Sequence, residues 1–140
     1  MAEPDVTFTT MNPANGEVFQ SLRRELGVSS FGMNLITLAP RQRLRIHRHE
    51  RQEEVYVVLE GELSLGVEGV DHAVTRGTVV RVGSTARRQL VNRGRTPVVV
   101  LALGGAGEHV SRDALAWTAW DEEGDGHPPQ EVPLPADLEV

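Results

Sequence analysis

Short runs of β-prone residues follow one another from Phe31 to Leu103, and each run is closed by Gly, Pro, Asn or Asp. Their spacing of about eight to twelve residues is typical of a sandwich or barrel of short strands. No helix-prone segment lies between the runs to act as a crossover, so we expect the strands to pair antiparallel. The predicted strands cover residues 32–38, 44–49, 54–60, 63–67, 70–75, 78–82, 88–92 and 97–103.

The segments on either side of this region show other patterns. Residues 19–26 suit one face of a helix through Phe19, Leu22 and Leu26, but their start suits a strand equally well. Residues 113–120 have near-helical apolar spacing and predict a short helix or turn. The predicted organisation is an N-terminal extension that packs on the barrel (1–30), the barrel (31–104), a C-terminal turn or short helix (105–120) and an acidic, Pro-rich tail outside the core (121–140).

Length and composition narrow the class of protein. A chain of 140 residues is the size of a single domain, and an aromatic content of 4% requires an aliphatic core. The absence of cysteine excludes disulfides and thiolate catalysis. The first residues carry no apolar signal region, and the longest apolar run, 98–103, is too short to cross a bilayer. We therefore expect a cytoplasmic protein without a membrane partner.

The charge distribution excludes one class of partner. The net charge is −6, and residues 121–140 contain seven acidic side chains but no basic one. The remaining residues are close to neutral, so there is no basic face of the size that nucleic-acid binding needs. All fourteen basic residues are arginine, which excludes Schiff-base chemistry by lysine.

His47 and His49 carry the first sign of a site. On a strand, residues two apart project from the same face with Cα atoms about 6.5–7 Å apart, so both imidazoles can reach one ion. Glu54 would face the opposite way on an unbroken strand, but the polar residues 50–53 interrupt it. We expect a hairpin there, which returns Glu54 to the histidines from the neighbouring strand and leaves Glu53 in solvent.

The positions of His47, His49, Glu54 and Gly61 resemble the first motif of the cupin superfamily, although the glycine that usually opens that motif is absent. The resemblance covers roughly residues 31–104. It implies an all-β fold, an antiparallel double-stranded β-helix of the jelly-roll type with short N- and C-terminal extensions. This implication agrees with the strand count.

The second cupin motif is only partly present. Gly77 and Asn92 match its ends, whereas the position of its histidine is occupied by Arg88. In cupins that bind metal, this histidine joins the ligands of the first motif. The resemblance thus implies that His47, His49 and Glu54 hold a divalent transition metal such as Fe, Mn, Ni or Zn. It leaves the fourth ligand missing.

Arg88 leaves two alternatives open. An arginine cannot ligate, and its charge at ~5 Å from a divalent cation would cost roughly 6–7 kcal/mol at an effective dielectric constant of ~20. The side chain either turns out of the barrel mouth, leaving a triad of two histidines and one carboxylate, or pairs with Glu54 in a metal-free pocket for a carboxylate, phosphate or sugar. Tyr56 and Arg45, each two residues from a site residue, are further candidates for contact with a ligand.

The sequence therefore predicts a single-domain cupin that binds a small polar or anionic molecule. One alternative is a metal-dependent enzyme of the dioxygenase or isomerase type, or an enzyme that transfers protons without metal. Another is a non-enzymatic ligand sensor or a structural dimer. We expect a homodimer, because the Val-rich strands are apolar on both alternations and would otherwise expose a hydrophobic face.

Overall fold

The computed structural model describes residues 4–105 and 113–139. Within these ranges the chain forms ten strands, one short helix and one 3-10 turn. The elements are β1 (Phe19–Ser21), α1 (Leu22–Leu26), β2 (Gly32–Leu38), β3 (Ile46–His49), β4 (Glu53–Glu60), β5 (Leu63–Val67), β6 (Val70–Val74), β7 (Val79–Val82), β8 (Arg88–Val91), β9 (Val98–Gly105), β10 (Ala114–Trp117) and the 3-10 turn Pro129–Glu131.

The strands form two five-stranded antiparallel sheets. Sheet 1 has the order β1-β2-β9-β4-β7 and sheet 2 the order β10-β3-β8-β5-β6. Strands that follow one another in sequence frequently lie in different sheets, so the chain winds back and forth between the two layers. The predicted all-β, antiparallel double-stranded β-helix of the jelly-roll type is confirmed.

An aliphatic core fills the space between the two sheets, as the low aromatic content required. Its buried members include Leu38, Val58, Leu65, Leu90 and Val100. The tight turn between β4 and β5 needs glycine, because Gly61 has a φ of 77° and a Cβ there would lie 2.6 Å from a backbone oxygen. The glycine at the last position of the first cupin-like motif, Gly61, is therefore required for steric reasons.

The segments outside the barrel differ from the sequence-based expectations. Residues 19–26, which suited both a strand and a helix, form β1 and then α1, with Leu22 buried against Leu35 and Val99. The helix or turn expected within 105–120 is instead the strand Ala114–Trp117, because pairing with β3 outweighs the weak helical periodicity. Residues 106–112 lie outside the described part of that segment.

The acidic tail contributes to the core, contrary to expectation. Val132 is 4% exposed, and Nε of Arg45 donates to its carbonyl oxygen over 2.5 Å. Further along, Nε of Arg43 donates to the carbonyl of Ala136. Barrel arginines thus satisfy the backbone of a tail whose own side chains are mostly exposed. Among the described residues, no helix is long and apolar enough to span a bilayer.

Candidate metal and ligand site

Strand β3 places the two histidines in the space between the sheets. It lies between β10 and β8, with Ala114 opposite His49 and both Ala116 and Arg88 opposite His47. The small alanines leave room beside the imidazoles. Arg48, between the two histidines, points to the other face of sheet 2. Its guanidinium carbon lies 5.7 Å from the ring centroid of Trp117.

Glu54 faces the histidines from the opposite sheet. The expected hairpin at 50–53 is wrong, because β3 belongs to sheet 2 and β4 to sheet 1, so these residues carry the chain from one layer to the other. The crossing still reverses the alternation, and Glu54 points inward while Glu53 is exposed. The sequence thus placed Glu54 on the correct side for an incorrect topological reason.

Four side chains surround a single oxygen, Oε1 of Glu54. The Tyr56 hydroxyl donates to it over 2.7 Å. Nε2 of His49 lies 3.1 Å from it, Nε2 of His47 3.6 Å, and Nε of Arg88 3.4 Å. The two imidazole rings stand edge to face, with centroids 5.4 Å apart. All four side chains are among the candidates named from the sequence, and they meet at this carboxylate.

A backbone contact orients His47. Its Nδ1 lies 3.2 Å from the carbonyl oxygen of Arg45, which can only accept, so Nδ1 carries the proton. In the neutral imidazole, Nε2 then presents its lone pair to the carboxylate of Glu54. Two lone pairs that face each other need a proton or a cation between them. This is the arrangement that metal-ligating histidines adopt.

Asp113 lies on the other side of His49 from Glu54, and no sequence pattern indicated it. Its Oδ2 lies 3.7 Å from Nδ1 of His49 and accepts hydrogen bonds from the backbone N–H groups of Arg51 and Gln52. Burial would raise the pKa of Asp113, but these two donors outweigh it and hold the pKa below its ordinary value. The carboxylate thus fastens the inter-sheet crossing beside His49.

Arg88 is fully buried. Its guanidinium contacts both the backbone carbonyls of residues 83–86 and the carboxylate of Glu54. Nη1 donates to the carbonyls of Ala86 and Ser84, and Nη2 to that of Gly83. Only Nε faces Glu54, at a distance that forms an ion pair but no hydrogen bond. The side chain stays inside the barrel, with its head held against the 83–86 turn.

The ionisation of the site follows from these contacts. Burial would raise the pKa of Glu54, but the imidazoles of His47 and His49, at 3.6 and 3.1 Å from its Oε1, outweigh it and hold the pKa well below the ordinary 4.5. Burial and the neighbouring Glu54 carboxylate raise the pKa of Tyr56 well above 10.0. Glu54 is therefore ionised and Tyr56 protonated at neutral pH.

The donor set fits a three-residue metal site. One ligand atom from each of His47, His49 and Glu54 lies within 4.8 Å of the other two. Among the described residues, these three form the group that could hold a metal ion. Two imidazoles and a carboxylate form the facial triad that suits divalent transition metals. Arg88 occupies the side on which the second cupin motif would add a fourth ligand.

Two adjoining cavities open from this cluster. The larger has a volume of about 670 Å³ and the smaller about 200 Å³. Asn34, His49, Glu54, Ala102, Ala114 and Pro129 line both cavities. Arg45 and Tyr56 line the smaller one, whereas Arg88 lines neither. Of the predicted ligand contacts, the geometry thus gives Arg45 and Tyr56 access to a bound molecule.

Several residues that line the cavities were not predicted from the sequence. Gln52 belongs to the polar crossing, where it looked like a turn residue, yet it is 6% exposed and lines the larger cavity. Asn34 comes from β2, and Pro129 and Gln130 come from the tail. Only Asn34, a polar residue between two apolar ones, carried a sequence signal, whereas Gln52 lies among charged residues.

Solved structures with the same fold come from several bacteria. A protein described as a sugar phosphate isomerase from a cupin superfamily, from Silicibacter pomeroyi, is 25% identical, with 81% of this chain and 74% of that chain covered at a TM-score of 0.61. The Cupin_2 domain of an XRE family transcriptional regulator from Enterobacter cloacae is 25% identical, with 63% of this chain and 94% of that chain covered at 0.57. A cupin protein from Bacteroides fragilis, 14% identical, shares the fold at 0.67, with 88% and 99% covered.

No curated protein matches this chain significantly. The Cupin domain family model matches residues 34–104, which are half of the chain and include both histidines, Glu54 and Arg88. Together with the two-sheet topology and the His47–His49–Glu54 cluster, this match establishes that the chain is a member of the cupin superfamily.

Proposed function

We propose that this cupin binds one divalent transition metal through His47, His49 and Glu54, and a small polar or anionic molecule in the cavity above it. The convergence of the three ligand atoms carries the proposal, together with the Arg45 carbonyl that turns the lone pair of His47 inward. A bound metal would supply Lewis-acid polarisation of a ligand oxygen. The protein would supply the orientation and the shape of the cavity.

The cavity lining indicates the chemical class of the ligand. Asn34 and Gln130 offer amide groups, and Arg45 adds a cationic side chain beside the smaller cavity. Amides both donate and accept hydrogen bonds, which suits a molecule with hydroxyl groups, while a guanidinium suits a carboxylate or a phosphate. A small hydroxylated anion satisfies both sets of groups.

Metal content tests the first part of the proposal. Protein purified without an affinity tag and titrated with Co²⁺ should bind one equivalent, detected by elemental analysis and by the visible absorption of cobalt. The variants His47→Ala and His49→Ala should lose it. His72→Ala is the matched control, because His72 is an exposed histidine on β6. Binding that survives both site substitutions, or no binding by the wild-type chain, would contradict the proposal.

Isomerisation is a second candidate, favoured by the 25% identity to the protein described as a sugar phosphate isomerase. Such a reaction moves a proton between neighbouring carbons, and in a metal-free site His49, which then ligates no metal, would accept that proton. Incubation with aldose and ketose phosphates in D₂O should then exchange the hydrogen next to the carbonyl, as followed by NMR. Exchange equal to that of the His49→Ala variant would count against this activity.

A ligand-sensing role is the alternative, supported by the equally similar domain of a transcriptional regulator. It predicts that a ligand binds and raises the melting temperature with no turnover. Either role is compatible with a homodimer formed through the outer face of sheet 1, where the partly exposed Val55, Val57, Leu101 and Leu103 lie side by side. Sedimentation should show a dimer that Leu101→Arg converts to a monomer, whereas a wild-type monomer would refute this expectation.

A further inference from the structure

Part of the ligand cavity is built by the tail rather than by the barrel. We define residues 127–132 as the strap. Pro128, Pro129 and Gln130 of the strap line the larger cavity, and Pro129 also lines the smaller one. The segment that matches the cupin family ends at residue 104, so this wall of the site lies outside it.

Both ends of the strap are anchored, the first to strand β10 of sheet 2 and the second to Arg45, which directly precedes β3. His127 forms two backbone hydrogen bonds with Ala116, of 2.8 and 2.9 Å. At the other end Val132 is buried, and its carbonyl accepts from Arg45. Four residues remain between these anchors. A segment of this length cannot move away from the cavity unless one of the two anchors opens.

The part between the anchors is also stiff. Two consecutive prolines fix φ at positions 128 and 129. The 3-10 turn adds backbone hydrogen bonds from Glu131 to Pro128 and from Val132 to Pro129, of 2.9 and 3.1 Å. The strap therefore behaves as a fixed wall and not as a loose tail.

Arg45 connects this wall to the proposed metal site. Its side chain holds Val132, while its carbonyl accepts from Nδ1 of His47. Movement of the strap would thus displace the residue that orients a ligand histidine. The strap and the histidine share one support.

We infer that the strap sets the size of the molecule that reaches His49 and Glu54. This inference deepens the proposed function, since it assumes that the cavity is the ligand site. A small molecule passes beside the stiff wall, whereas a larger one enters only when the Val132 anchor opens. Ligand selection then resides in a segment that the cupin motifs do not include.

A cysteine placed behind the strap measures this directly, because the chain has no cysteine of its own. Ala114→Cys lies opposite His49 and lines both cavities. Its reaction rates with two neutral reagents, the small methyl methanethiosulfonate and the larger 4,4′-dithiodipyridine, are compared in metal-free protein with EDTA. Ala73→Cys on exposed β6 gives the reference ratio of the two rates.

With the strap intact, the large reagent should be disfavoured at position 114 by about tenfold relative to position 73, since its entry requires a local opening. The substitutions Pro128→Gly and Val132→Gly together should bring the two ratios within about threefold of each other. Val79→Gly, on the exposed surface of β7, should leave the ratio at position 114 unchanged.

Equal ratios at positions 114 and 73 with the strap intact would overturn the inference. So would a difference that persists after the strap is loosened. If Ala114→Cys fails to fold, Asn34→Cys reports on the same two cavities from sheet 1. The assay needs neither metal nor ligand, so its failure is distinguishable from failure of the proposed function.

Discussion

Nε of the fully buried Arg88 lies 3.4 Å from Oε1 of Glu54, on the strand position that carries a histidine in metal-binding cupins. The guanidinium neither leaves the barrel nor forms a bidentate pair with the carboxylate. Its two terminal nitrogens are tied to carbonyls of the 83–86 turn. Arg88 therefore balances the charge of Glu54 while it leaves the side of Glu54 that faces the histidines open.

Substitution of Arg88 should strengthen metal binding. Arg88→His removes a cation and adds a ligand, and we expect the affinity for Ni²⁺ to rise by more than about a hundredfold, since removed charge repulsion alone is worth several kcal/mol at an effective dielectric constant of ~20 and each 1.4 kcal/mol is about tenfold. Arg88→Gln separates the two effects, because it removes only the charge. Isothermal titration of the metal-free proteins measures all three affinities.

The control for this experiment is Arg95→His, which changes an exposed residue in the same way. It should leave the affinity at the wild-type value. Equal affinities for the wild type and Arg88→His would show that position 88 does not influence the cluster.

Loss of the Glu54 charge should destabilise the fold. Glu54→Gln leaves the Arg88 guanidinium buried without its counter-charge, and removal of one partner of a buried pair costs about 3–5 kcal/mol in the free energy of unfolding. Urea denaturation at pH 7 measures this. Glu53→Gln, which breaks an ion pair with Arg81 on the exposed surface, should cost about 0–1 kcal/mol.

The same carboxylate predicts a pH dependence. Because the pKa of Glu54 lies well below 4.5 in the folded protein, its stabilisation is complete above the unfolded value and is lost as the pH falls from 4.5 toward the folded pKa. The stability of Glu54→Gln should fall less steeply over that range. Parallel stability curves for the wild type and the variant would contradict the assignment.

The Tyr56 hydroxyl should contribute to stability through a single bond. Tyr56→Phe removes its 2.7 Å hydrogen bond to Oε1 of Glu54. Since the acceptor is charged, the expected loss is about 1.5–3 kcal/mol in the free energy of unfolding. The metal stoichiometry should stay at the wild-type value, because Tyr56 is not one of the three proposed ligands. A loss of metal in this variant would assign Tyr56 a direct role.

Two glycines before the strap provide a matched pair. Gly124 and Gly126 both have positive φ, of 100° and 81°. A Cβ at Gly126 would approach Cζ2 of Trp117 to 2.8 Å, whereas a Cβ at Gly124 would meet nothing within 4 Å. Each change to alanine costs about 1–2 kcal/mol in backbone strain. Gly126→Ala should cost about 1–3 kcal/mol more through overpacking. Equal melting temperatures for the two variants would refute the contact.

Much of the barrel could be predicted from local patterns. The strands Gly32–Leu38 and Leu63–Val67 have the predicted bounds, and six other predicted strands are observed with ends shifted by one or two residues. The alternation of apolar and polar residues and the positions of turn residues are properties of short segments, so they can be read from the amino-acid sequence. The short helix or turn predicted over 113–120 is instead the strand Ala114–Trp117, because its pairing with β3 joins residues that are far apart in the chain.

The sequence by itself determined the family, the inward positions of His47, His49 and Glu54, and the replacement of the fourth ligand by Arg88. Spacing along the chain was sufficient for the family and the histidines, whereas the inward position of Glu54 was reached through a hairpin that does not exist. Only the tertiary structure decided that β3 and β4 lie in opposite sheets, that Asp113 supports His49, and that the acidic tail walls the cavity. These features join residues that are far apart in the chain, and no local pattern encodes such a contact, because it depends on how the two sheets close around the core.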